Sequence, residues 1–205
     1  MVSFKKQLTA KEKSDAILSS IKILNTESNN RNIIYIIEKL VKALLTASYA
    51  RLWILNKEKS VLYSRTIDEL EDIEIPIYQG LLGKTARSTE PFYVNDIKSS
   101  KSEYIKSSDN FEENNIKDMI LIPIIKDKDV ICVIQAMTST YDIQQFTDND
   151  LQTFKMLIPY IQSIDLYSTQ KIEEEIKADN KDERKNNSEE TIDNSILSKV
   201  FDFFK

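Results

Sequence analysis

A chain of 205 residues that is 41% hydrophobic and 30% charged can hold one domain of about 150 residues with a real core, plus appendages. Its net charge of −5 and its lack of histidine argue against nucleic-acid binding, a His-based catalytic pair, His-ligated haem and ordinary zinc sites. The single cysteine, Cys132, forms no internal disulfide, and no apolar run follows the N-terminal lysines. A cytoplasmic chain without a signal peptide or transmembrane segment is expected.

In chain order, Ile17, Leu18, Ile21 and Leu24 recur at helical spacing before the polar run 25–30 breaks the pattern. A second helix is expected over about 31–46, with Ile33, Ile37, Leu40, Val41 and Leu44 on one stripe. Residues 49–55 read as a strand and 61–65 as its hairpin partner. Bulky residues on both faces of the first strand imply a sheet covered on both sides. Alternation sets Arg51 on the side of Tyr49 and Trp53, either facing an enclosed space or snorkelling to water at the sheet rim.

Gly80 and Gly83 are the only glycines in the chain. Glycine serves where the backbone needs positive φ or a close approach, so two of them three residues apart mark one special turn, followed by a helix over 82–87. With Lys84 and Arg87 alongside, the turn could cradle a phosphate, but it lacks a third glycine or a Gly-Lys-Ser/Thr run. A tight fold over the sheet is the simpler reading, with Lys84 and Arg87 on a solvated helix face.

Residues 90–96 form a turn feeding a short strand. The polar stretch 97–115 is expected to be a mobile loop containing a short helix, anchored by Tyr104, Ile105 and Phe111. Two apolar strands, 118–125 and 129–137, flank the charged turn 126–128 and favour an antiparallel hairpin. Cys132 in the second reads as a small buried hydrophobe. Thr147 offers an N-cap with Asp150 at the third helical position. The helix that follows carries Leu151, Phe154, Leu157, Ile158, Ile161 and Ile164, kinks at Pro159, and extends toward Ile172 and Ile176.

From about 178 to 190 no large apolar residue occurs, which suits a disordered tether. Beyond it, Ile196, Val200 and Phe204 share one helical face with Leu197 and Phe201 beside them. This peptide either docks on a partner or on its own domain, or it is an incidental greasy terminus with a weak membrane hold.

Taken together, residues 50–55, 75–86, 90–96, 119–124 and 146–151, in this order and spacing, resemble a GAF domain. The resemblance covers about 29–167. It implies an α+β fold: a central antiparallel sheet with the N- and C-terminal helices on one face and a loop-roofed pocket on the other. The expected organisation is an N-terminal helical segment (1–28), the GAF-like domain (29–167), a helix extension (168–178), an acidic disordered linker (179–192) and an amphipathic C-terminal peptide (193–205).

Carried over by motif, the candidate ligand-binding residues are Arg51, Trp53, Leu81, Leu82, Asp109, Phe111 and Gln135. Ile196, Leu197, Val200, Phe201 and Phe204 are the candidate partner-binding residues. Such domains usually sense small molecules or dimerise through their flanking helices, so a homodimer is expected. Cyclic-nucleotide-binding members carry an Asn-Lys pair where this chain has Thr138-Ser139, and an acid where it has Leu151. Phytochrome-type members need a cysteine and histidine for a bilin, and free methionine sulfoxide reductases use several cysteines. No haem, bilin, zinc or nucleic acid is therefore expected. The expected function is a non-catalytic sensory or regulatory module acting through small-molecule binding and protein contacts. The alternative is a dimeric adaptor with a self-filled pocket that recruits partners through the C-terminal peptide.

Overall fold

In the computed structural model, residues 8–27, 29–64, 73–100, 103–110, 115–142 and 145–164 are described. The chain divides into two units, Met1–Gln162 and Ser163–Lys205, and only residues 163 and 164 of the second are among those described. The linker and the C-terminal peptide, with Ile196, Leu197, Val200, Phe201 and Phe204, lie outside the described residues.

The strands are β1 (Tyr49–Asn56), β2 (Val61–Ser64), β3 (Ile73–Pro76), β4 (Phe92–Val94), β5 (Ile116–Lys126) and β6 (Asp129–Ser139). They form one antiparallel sheet in the order β3-β2-β1-β6-β5-β4. The long pair β5 and β6 turns through Asp127 and Lys128, both at positive φ (52° and 74°), between the ladder partners Lys126 and Asp129. Two left-handed residues match the twist of a two-residue hairpin.

The helices are α1 (Ala10–Leu24), α2 (Asn30–Leu44), α3 (Gly80–Arg87), α4 (Lys106–Asp109), α5 (Asp148–Lys155) and α6 (Ile158–Ser163). The stripe of α2, with Ile33, Ile36, Ile37, Leu40, Val41 and Leu44 buried, packs on β1 and meets α1 and α5. On the other face α3 packs on β5 and β6. There Leu81, Leu82 and Ala86 join Trp53, Leu55, Leu62, Met119, Leu121, Val133 and Met137 in one apolar cluster. The α+β sheet with helices on both sides thus follows from β1, whose residues 51 to 55 are all buried.

Two differences from expectation have clear causes. The last helix is broken into two rather than kinked. α5 stops at Lys155 and closes with tight turns, in which Met156 N–H donates to the Thr153 carbonyl (3.3 Å) and Leu157 N–H to that of Phe154 (2.8 Å). Pro159 would press its ring on the carbonyl four residues back, that of Lys155, so the first helix ends there. The second difference is β3, an edge strand too short to announce itself by alternation.

The ends of the sheet are tied by reciprocal bonds. Asn95 donates from its amide to the Phe146 carbonyl (2.9 Å) and accepts from the Phe146 N–H (3.1 Å), joining the end of β4 to the start of α5. Asp118, fully buried, accepts from the Asp96 N–H (2.8 Å) and the Thr138 hydroxyl (2.8 Å). Thr147 and Asp150 form the expected cap, the Thr147 N–H donating to the Asp150 carboxylate at 2.9 Å. Cys132 is fully buried mid-strand.

Candidate functional site

The site is built on the glycine turn. Gly80 enters α3 at φ +65°, and a Cβ there would stand 2.4 Å from the Asp109 carboxylate. The missing side chain therefore makes room for an acid at the start of a helix. Asp109, at the end of α4, uses that room: Leu81 N–H donates to its Oδ2 (3.0 Å) and Leu82 N–H to its Oδ1 (2.9 Å). Ile105 N–H donates to the same carboxylate at 2.8 Å, closing α4 on itself. A carboxylate at a helix N-terminus satisfies donors that the helix cannot satisfy internally.

Gln135 carries the network to the sheet. Its side-chain oxygen accepts from the Trp53 indole N–H (2.8 Å), and its amide donates to the Asp109 main-chain carbonyl (2.6 Å). Met119 and Met137 sulfurs lie 3.5 and 3.7 Å from the same amide nitrogen. Asp109 thus bonds to α3 with its side chain and to β6 with its backbone. Trp53, Leu81, Leu82, Asp109 and Gln135 are each at most 1% exposed.

Burial raises the pKa of the Asp109 carboxyl, while the N–H bonds from Ile105, Leu82 and Leu81 pull it down. Beside it, Tyr104 is raised by burial, lowered by a hydrogen bond with Asn110 and raised by the Asp109 charge.

Arg51 faces the same side. It pairs with Gln135 across β1 and β6, is 5% exposed, and holds its guanidinium 5.8 Å from the Trp53 ring. The enclosed position, rather than the rim, is the one observed. Phe111 lies outside the described residues. Five of the seven candidate residues are thus joined in one buried cluster with Arg51 alongside.

Reading the sequence missed the Ile105 N–H and the Ser108 hydroxyl that donates to the Gln79 side chain (3.0 Å), whereas Tyr104, expected as an anchor of this stretch, does pack against the apolar cluster. Gly80 was a visible signal of something at close range, without saying what. Lys84 is half-exposed as expected, yet it reaches Glu103 at 2.7 Å, and Arg87 donates to the Gly83 carbonyl at 3.2 Å.

The site offers hydrogen bonding and charge: one carboxylate, one guanidinium, one amide and one indole. Among the described residues no group of three or more acidic or cysteine side chains could hold a metal ion. Cys132 lies within the sheet with its thiol pushed far up by burial.

The chain matches the GAF domain over residues 35–164. No curated protein matches it. Among solved structures it is similar to the GAF domain of a phosphoenolpyruvate-protein phosphotransferase from Coxiella burnetii, with a TM-score of 0.65 and 13% identity, over 80% of this chain and 98% of that one. It is also similar to the corresponding domain from Acinetobacter, with a TM-score of 0.62 and 11% identity, over 76% and 92%. A third is the free methionine-R-sulfoxide reductase of Neisseria meningitidis in complex with its substrate, with a TM-score of 0.61 and 14% identity, over 79% and 94%. At these identities the likenesses show the fold. With the matched segment covering more than half of its length, the chain belongs to the GAF domain family.

Proposed function

We propose that the chain is a non-catalytic, cytoplasmic regulatory GAF module that works through protein contacts, its roofed side filled by its own side chains. The observation that carries this reading is the Trp53–Gln135–Asp109–α3 network, in which the groups best suited to grip a small molecule bind one another. A ligand entering there would have to replace bonds already made, at the cost of buried groups left unpaired. The buried, protonated thiol of Cys132 supports the non-catalytic part, since a thiolate is the nucleophilic form.

Contacts would run through a homodimer formed by the flanking helices and through the C-terminal peptide, whose capped apolar sequence follows a polar tether. One observation favours a second reading, sensing of a small molecule with an anionic group: the guanidinium of Arg51 held beneath the same roof.

Native mass spectrometry of freshly purified full-length protein tests both. A dimer without a retained small molecule is the expected result. A small molecule retained in stoichiometric amount would overturn the self-filled reading in favour of the second, and a monomer would remove the dimer. Deleting residues 196–205 should abolish capture of partner proteins; unchanged capture would remove the peptide from the account.

A further inference from the structure

We draw no further inference here: the strongest candidate, the surface patch formed by exposed Tyr78 in the glycine turn, with the Arg87 guanidinium over its ring, and exposed Ile105 before α4, carries nothing, because nothing among the described residues shows what covers it.

Discussion

At the scale of single residues, Gly83 makes the sharper test of how closely α3 is seated. Replacing a helical glycine by alanine usually stabilises by about 0.5–1 kcal/mol. Here a Cβ would lie 2.6 Å from the Ile77 carbonyl oxygen, a backbone atom that cannot swing aside. Overpacking against backbone wins over helix propensity, so Gly83→Ala should destabilise by roughly 1–3 kcal/mol. An equilibrium denaturation showing equal or greater stability would mean that α3 has room to shift. Both glycines were legible as special positions because the chain has no others. Their reasons were not, because one makes room for a carboxylate 29 residues further along the chain and the other for a neighbouring carbonyl. Arg51, Trp53 and Gln135 could be assigned to one face by alternation and resemblance. That Gln135 bonds to Trp53 on one side and Asp109 on the other is a matter of side-chain reach, which no pattern of residue types encodes.

Among the elements, the β5–β6 hairpin carries a cost that its sequence alone would not reveal. Asp127 and Lys128 both sit at positive φ, where aspartate is tolerated and lysine pays about 1–2 kcal/mol for the close approach of its Cβ to the carbonyl oxygen. Lys128→Gly should therefore raise stability by about 1 kcal/mol, the gain being reduced by the greater freedom that glycine gives the unfolded chain. A thermal midpoint that stays level or falls would show that Lys128 earns its place through another contact. The elements themselves were largely readable: the α2 stripe, β1, the glycine turn and the β5–β6 pair all announce themselves by period. β3 did not, because Ile73, Glu74 and Ile75 give one alternation before Pro76. The break between α5 and α6 was anticipated as a kink. Its sharper form arises because the proline's ring and missing N–H act together on the turn before it.

For the molecule as a whole, the buried acid at the start of α3 makes stability depend on pH in a definite sense. Burial outweighs the three N–H bonds and raises the Asp109 pKa above its ordinary value. The folded chain therefore holds that proton more tightly than the unfolded chain does. Its contribution is fully present below the unfolded value, roughly 3.9, and is lost as pH rises through the folded value. Comparing wild type with Asp109→Asn cancels the other carboxylates, and the absence of histidine leaves that window clear of imidazole titration. The wild-type thermal midpoint minus that of the variant should fall as pH rises from about 4 and then level off once Asp109 is ionised. Tyr104 gives a second readout of the same charge. Because Asp109 raises its pKa, the variant should titrate Tyr104 at lower pH. A difference curve that is flat, or that rises with pH, would mean that the three backbone donors outweigh burial. Asp109 would then be a carboxylate stabilised in its charged form.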